Sequence, residues 1–219
     1  MFGFSYKNEE RKGRMTRRFE VLGHPIIWVD PVLVTDPRIT VEDTAKRPYA
    51  IMFNHIDMIE KFLKESTAEY GVFCEDEIYV RRDFDRTIQV AIDGYKRLGL
   101  DVLLLGYLTN YKAFTCSVHC CHHAVEPPFA FLSVEEGLWG SQMYMMDHAA
   151  AQRVYDGTCT PDRVSTHFSP DWTITKFGRT AAIYPMLAVE EGHVVSDHQG
   201  QINFHRECVR ENYDPELHF

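Results

Sequence analysis

Three consecutive carboxylates, Glu75, Asp76 and Glu77, follow directly after the apolar residues 71–74. This apolar run is short and favours extended structure, so it predicts a buried strand. Ionised side chains at this spacing repel one another, and a bound cation relieves the repulsion. Mg²⁺ and Mn²⁺ prefer such oxygen ligands and commonly bridge to substrate phosphates. On spacing alone, a metal site and an acidic turn that caps the next helix stay equally open.

A second group of potential metal-binding side chains lies in the middle of the chain. It consists of cysteines and histidines, namely Cys116, His119, Cys120, Cys121, His122 and His123. Adjacent residues cannot readily all face one ion, and the paired C-x₂-C spacing of structural zinc sites is absent. We therefore interpret this group as a strand or loop with buried, reduced thiols, and a zinc site is the alternative.

Composition and charge exclude several classes of protein. The chain has 219 residues, of which 45% are hydrophobic, and its formal net charge is −9. An acidic balance argues against a general nucleic-acid-binding protein, which would present a basic face. Basic residues are concentrated between Lys7 and Arg18, where they predict a phosphate-binding patch or a solvated helix face. No stretch has the length and apolarity of a signal peptide or a membrane-spanning helix, so we expect a cytoplasmic protein.

The hydrophobic pattern predicts the strands and helices that position the three carboxylates. We predict strands at residues 2–6, 26–29, 71–74, 102–106, 142–146 and 180–184, and helices at 8–22, 50–64, 84–98, 147–155 and 171–177. Residues 112–125 predict a strand or hairpin, and the polar segment after residue 191 predicts a tail that is frayed or folded over the site. The alternation of strand and helix up to residue 106 predicts an α/β fold with a mainly parallel sheet flanked by helices. Ligands bind at the C-terminal ends of strands in such sheets, where the three carboxylates lie.

Local signals mark several helix ends. Asn8 and Asp147 are predicted N-caps, because short polar side chains accept hydrogen bonds from the first helical turn. Gly23 and Gly99 are predicted to end two of the helices, since glycine adopts the left-handed backbone conformation at low cost.

Four segments together resemble the pattern of glycosyltransferase family 25, which contains bacterial lipooligosaccharide galactosyltransferases and collagen β-galactosyltransferases. These segments are residues 4–15, 50–56, 71–77 and 101–106. In order, they are similar to the family's opening strand with its Asn-Leu-x-Arg-x-x-x-Arg run, its Gly-Cys-x-x-Ser-His helix, its Leu-Glu-Asp-Asp motif and its Trp-Asp-x-x-x-Leu-Gly segment. Weaker similarity continues at Met143-Tyr144, Asp171-Trp172 and Tyr184-Pro185. Glu77 stands where the family usually has Asp.

The resemblance implies one GT-A-type catalytic domain over residues 1–219, with a nucleotide-binding part at about 1–110 and an acceptor and C-terminal part at about 111–219. It implies transfer of a sugar from a nucleotide sugar, with UDP as the expected carrier, to a glycan or glycoprotein acceptor, with inversion. Similar compact domains occur in glycosyltransferases of large DNA viruses, and a viral protein would work in the host cytoplasm.

The resemblance also implies roles for individual residues. Mn²⁺ or Mg²⁺ near Glu75 and Glu77 would bind the diphosphate, and one late histidine would complete the metal shell. We name His198 for this role, with His193 and His205 as the other candidates.

Residues near the N-terminus would bind the nucleotide. Ser5, Tyr6, Arg11 and Arg14, together with Glu75 and Asp76, would line its pocket, and the planar fork of Arg14 suits phosphate. Inversion needs a general base, and Asp171 is our choice, with a helix N-cap as its alternative role. Trp172 and Trp139 would contact the acceptor.

Two other functions compete with this hypothesis. A metal-dependent phosphohydrolase or nucleotidyltransferase would also use clustered carboxylates, but the sequence lacks a further Asp or His motif for a second metal. A catalytically reduced glycosyltransferase-like domain that only binds its ligand is the other alternative. Metal-dependent UDP binding, followed by a test for donor hydrolysis, distinguishes the three.

Overall fold

The computed structural model describes residues 1–42, 45–110, 123–126, 129–134, 138–158, 168–192 and 199–219. Within them, eight strands form one sheet in the order β2-β1-β3-β8-β5-β9-β7-β6. These strands are β1 (Phe2–Phe4), β2 (Ile27–Val29), β3 (Tyr70–Cys74), β5 (Val102–Leu108), β6 (His123–Glu126), β7 (Phe129–Ser133), β8 (Trp139–Asp147) and β9 (Thr180–Tyr184). A separate antiparallel pair is made by β4 (Ile78–Val80) and β10 (Ala188–Glu190).

The helices flank the sheet. They are α1 (Glu9–Val21), α2 (Lys46–Glu65), α3 (Phe84–Leu98), α4 (His148–Thr158), α5 (Pro170–Thr173) and α6 (Gln199–Asn212). Among the described residues, none of the helices combines the length and apolarity needed to cross a membrane.

Six of the eight strands in the large sheet run in the same direction, and β7 and β8 run against them. The predicted fold class is therefore confirmed as α/β, with a mostly parallel sheet flanked by helices. The sequence pattern did not predict that β8 lies antiparallel between β3 and β5. Because of this direction, Gln142 and Met143 of β8 lie beside the end of β3.

Alternating side chains of the central strands build a core on each face of the sheet. Phe73 and Leu104 point into the cluster formed with α2 and α4, where Phe62 and Val154 are fully buried. Their neighbours in the sequence, such as Leu103, belong to the opposite cluster, which is formed with α1 and α3. The sheet and its two helical layers therefore fix the end of β3 rigidly.

Several predicted helix ends are confirmed in detail. Asn8 Oδ1 accepts a hydrogen bond from the N–H of Arg11 at 3.0 Å, and Asp147 Oδ1 accepts one from Ala150 at 2.7 Å. Gly99 has a φ of 59°, so it ends α3 in the left-handed conformation that favours glycine.

Other predictions differ from the structure. The second helix begins at Lys46 rather than at residue 50, and β4 was not predicted. The polar segment after residue 191 contains α6, whose weak amphipathic pattern hid a helix that buries His205 and Cys208. The short helix predicted at 171–177 covers only Pro170–Thr173.

Candidate functional site

The acidic triplet begins where β3 ends. The N–H of Glu75 donates to the carbonyl of Gln142 on β8 at 3.0 Å, and the chain then leaves the sheet. Glu75, Asp76 and Glu77 therefore lie at the C-terminal end of a buried strand, as the sequence predicts. Parallel sheets commonly bind ligands at this end.

Two of the carboxylates are held by residues from the N-terminal segment. Ser5 Oγ donates to Asp76 Oδ2 at 2.5 Å, and the guanidinium of Arg11 forms an ion pair with Glu77. Arg11 Nε lies 3.5 Å from Asp76 Oδ2 but is a buried donor without a hydrogen-bond partner among the described residues. The structure thus brings together four of the predicted site residues. Two of them lie near the N-terminus and two belong to the acidic triplet.

The surroundings of these carboxylates disfavour full ionisation. Burial raises the pKa of Asp76, although the Ser5 hydrogen bond and Arg11 act in the opposite direction. Burial and the neighbouring charge of Glu75 raise the pKa of Glu77 to about 8, against the effect of Arg11. One arginine therefore does not compensate the charge that the triplet carries when it is fully ionised.

The remaining carboxylate, Glu75, faces the interior of the domain. Ser141 Oγ donates to Glu75 Oε1 at 3.3 Å, and His55 Nε2 lies 3.6 Å from the same oxygen. His55 is fully buried, and its Nδ1 is hydrogen-bonded to the Tyr144 hydroxyl at 2.9 Å. Its Nε2 has no hydrogen-bond partner within the described residues. His55 is a core residue that also lies directly against the site.

Asp171 reaches the same region from α5. The N–H of Gly140 donates to Asp171 Oδ1 at 2.8 Å, so two consecutive residues of β8, Gly140 and Ser141, hold Asp171 and Glu75. Burial raises the pKa of Asp171, and the charge of Glu75 raises it further. The N-cap of α5 is Ser169, so the alternative role of Asp171 as the helix N-cap is wrong. Gly140 has a φ of 91°, a left-handed conformation that side chains other than glycine rarely adopt.

An aromatic surface adjoins Asp171. Trp172 is 43% exposed, and its ring meets that of Trp139 edge to face at 5.3 Å. Lys176 Nζ lies over both rings, 4.0 Å from the centre of Trp172 and 5.0 Å from that of Trp139. Among the described residues, Lys176 forms no ion pair with a carboxylate. The sequence identified both tryptophans as acceptor contacts but did not identify Lys176.

Two predicted nucleotide-pocket residues lie apart from these contacts. Arg14 donates to Glu10 at 2.8 Å and to Glu191 at 2.9 Å, and Glu191 also pairs with Arg18. Tyr6 is 42% exposed, and its ring is stacked below the ammonium of Lys7. Their roles toward a nucleotide stay predictions.

No three His, Cys, Asp or Glu side chains converge into a preformed metal cage in the part of the chain that the structure describes. His193 and His198, the predicted metal ligand, lie outside the described residues, as do Cys116 to His122. His205 is buried on α6, and its Nδ1 is hydrogen-bonded to Glu190 at 2.6 Å. The uncompensated carboxylates fit a cation that is held by one or two of them and by a bound phosphate, as is usual for Mg²⁺ at nucleotide sites.

Sequence reasoning missed Gly140 and Ser141, which hold Glu75 and Asp171. The only local signal is a pair of small residues at the start of an apolar strand, which is common in proteins. It also missed that His55 would lie against Glu75, because its helical spacing indicates burial but not the neighbour.

Comparisons with known proteins give similarity at the level of fold. No protein-family profile matches the chain, and no curated protein matches it in sequence, so family 25 stays a resemblance. The chain is similar to the solved structure of a glycosyltransferase involved in the glycosylation of the major capsid of PBCV-1. The two are 10% identical, with 83% of this chain and 79% of that chain covered and a TM-score of 0.45.

Two further solved structures are similar to the chain. A197 from STIV is 13% identical, with 90% of this chain and 94% of that chain covered and a TM-score of 0.43. Mouse xyloside xylosyltransferase 1 in its apo form is 12% identical, with coverages of 73% and 58% and a TM-score of 0.38. Such identities and TM-scores leave the function to be argued from the site itself.

Proposed function

We propose that the chain is a metal-dependent glycosyltransferase with a GT-A-type architecture, which transfers a sugar from a UDP-sugar to a glycan or glycoprotein acceptor. The observation that carries the proposal is the joint attachment of Glu75 and Asp171 to consecutive residues of β8. One carboxylate belongs to a cluster suited to a cation and a diphosphate. The other lies beside an aromatic surface suited to a sugar, so donor and acceptor would meet between them.

The donor side of the site is formed by the acidic triplet. Glu75 and Glu77, with His198 as the resemblance implies, would hold Mn²⁺ or Mg²⁺. The bound cation would supply charge neutralisation on the departing diphosphate. Arg11 lies between Asp76 and Glu77 and would add a bidentate contact to diphosphate oxygens.

The acceptor side of the site depends on Asp171. Its Oδ1 is held by the N–H of Gly140, and its Oδ2 makes no hydrogen bond to the described residues, so Oδ2 would take the proton of the attacking acceptor hydroxyl. Its raised pKa brings this carboxylate closer to the working pH and makes it a stronger base. A single displacement by that hydroxyl inverts the anomeric centre, which the family resemblance implies.

A panel of nucleotide sugars, screened for slow Mn²⁺-dependent hydrolysis, tests the proposal. We expect Glu77→Ala to abolish hydrolysis, because it removes a cation ligand. Glu65→Ala, an exposed glutamate on α2, is the matched control and should hydrolyse the donor like the wild type. Full activity of Glu77→Ala would refute the site assignment.

A binding-only domain is the second candidate, and one contact favours it. Arg11 already forms an ion pair with Glu77, so this carboxylate is partly neutralised without a metal. Such a domain would bind UDP but hydrolyse no donor in the panel. Metal-dependent hydrolysis of any donor would exclude it.

A further inference from the structure

Beside Asp171, the structure presents an ammonium group on an aromatic support. Lys176 Nζ lies against the rings of Trp172 and Trp139 at distances typical of cation–π contacts. Such contacts fix the position of the ammonium without an ion pair, although its charge still acts on the nearby carboxylate of Asp171. Lys176 is therefore an oriented cation at the acceptor side of the site.

Three other lysines are neutralised by carboxylates, whereas Lys7 and Lys12 also lie over aromatic rings. Lys61 pairs with Glu65, Lys64 with Glu60 and Lys96 with Glu69, at 2.8 to 3.2 Å. Lys176 has no such partner among the described residues, although the chain carries a net charge of −9. An acidic protein repels anions in general, so a positioned, unpaired cation at this point would select for a negative group on the ligand.

The exposed ring of Trp172 supplies the second half of a binding site. The C–H face of a pyranose packs well on an indole, which offers a rigid apolar surface. A negative group on the same sugar would form a charge-assisted hydrogen bond with Lys176. The charge of Lys176 acts to lower the pKa of Asp171, so a sugar bound at Trp172 and Lys176 would lie near the proposed base.

We propose that Trp172, Trp139 and Lys176 form an acceptor subsite for a pyranose that carries a carboxylate, such as a uronic acid. This inference rests on the proposed function, because it takes Asp171 as the base of sugar transfer. It adds the chemical class of the acceptor, which neither the fold nor the acidic triplet determines.

Saturation-transfer NMR with the whole chain tests the subsite, using methyl β-D-glucuronide and methyl β-D-glucoside as probes. We expect the glucuronide to bind about fivefold more tightly, because only it can pair with Lys176. Lys176→Gln should remove this difference and Lys176→Arg should keep it. Trp172→Ala should weaken both glycosides. Equal binding of the two glycosides to the wild type, or no binding of either, would overturn the proposal.

Two controls distinguish glucuronide binding at this subsite from binding elsewhere on the protein. Lys12 lies 5.6 Å from the ring centre of Trp28, a similar lysine–tryptophan contact away from Asp171, and Lys12→Gln should bind both probes like the wild type. Excess UDP should not displace the glucuronide, and displacement would mean that Lys176 binds the donor diphosphate instead. Glucuronide binding that persists when UDP shows no metal-dependent binding would refute the proposed function but keep the subsite.

Discussion

Two carboxylates on neighbouring backbone segments, the half-buried Glu77 and the buried Glu191, have opposite environments. The N–H of Glu191 donates to the carbonyl of Glu77 at 2.8 Å, so the two residues share one local structure. Both oxygens of Glu191 are paired, one with Arg14 and the other with Arg18. Glu77 has one arginine, Arg11, which it shares with Asp76.

The pKa values of the two groups follow from this difference. Burial acts to raise the pKa of Glu191, but the hydrogen bonds from Arg18 and Arg14 outweigh it and lower the pKa. At Glu77, burial and the charge of Glu75 outweigh Arg11 and raise the pKa to about 8. The paired carboxylate of Glu191 stabilises the fold, because it links α1 to the end of β10. The incompletely paired carboxylate of Glu77 instead favours the binding of a cation.

The largest expected effect concerns catalysis by Asp171, beside the cluster at the end of β3. Asp171→Asn should lower the rate of sugar transfer by about 100- to 10,000-fold, because it removes the base that accepts the hydroxyl proton. UDP binding and the melting temperature should stay close to those of the wild type. Steady-state kinetics with the donor found in the panel checks this, and Asp156→Asn on α4 is the control. A rate near that of the wild type would exclude Asp171 as the base.

The next effect concerns stability at the compensated site. Glu191→Gln leaves two arginines without their buried anion, which should cost about 3 kcal/mol and lower the melting temperature by about 6 to 12 °C. Glu10→Gln removes the other partner of Arg14, and because the side chain of Glu10 is 84% exposed, this change should affect stability far less. Thermal unfolding followed by circular dichroism measures both. Equal melting temperatures for the two variants would show that Glu191 is not a structural anchor.

A smaller effect of opposite sign is expected at Glu77. Its pKa is about 8 in the folded state against 4.5 for an ordinary glutamate, so the unfolded chain binds fewer protons between these values. Stability contributed by this group therefore falls as the pH rises through that window. In metal-free buffer at about pH 8, Glu77→Gln should raise the melting temperature by about 2 to 4 °C. The gain should disappear at roughly pH 5, and a loss of stability at pH 8 would contradict the assigned environment.

Local sequence signals predicted the parts of the site that depend on neighbouring residues. The apolar run before Glu75 gave the strand end, and capping residues such as Asn8, Gly99 and Asp147 gave helix ends, because these effects act within one turn. The contacts that join Glu75 to Asp171 depend on β8 lying antiparallel beside β3. Strand order is a long-range property, and hydrophobic periodicity does not encode it.

Hydrophobic periodicity also did not predict the carboxylate partners of the arginines on α1. The basic run at residues 7–18 predicted a phosphate-binding patch or a solvated face, and both interpretations miss the pairing of Arg14 with Glu191, a residue far along the chain. The periodicity of α1 shows which residues are buried, but it does not identify the partner of a charged group.

We propose that the cluster of Glu75, Asp76 and Glu77 at the end of β3 binds a divalent cation together with a nucleoside diphosphate. Calorimetric titration of UDP with and without Mn²⁺ tests it most directly, on the wild type, Glu75→Gln and the control Glu65→Gln. We expect UDP to bind the wild type and the control only when Mn²⁺ is present, and to bind Glu75→Gln weakly or not at all. UDP binding that is the same without Mn²⁺, or the same in Glu75→Gln, would contradict a cation and diphosphate site at these carboxylates.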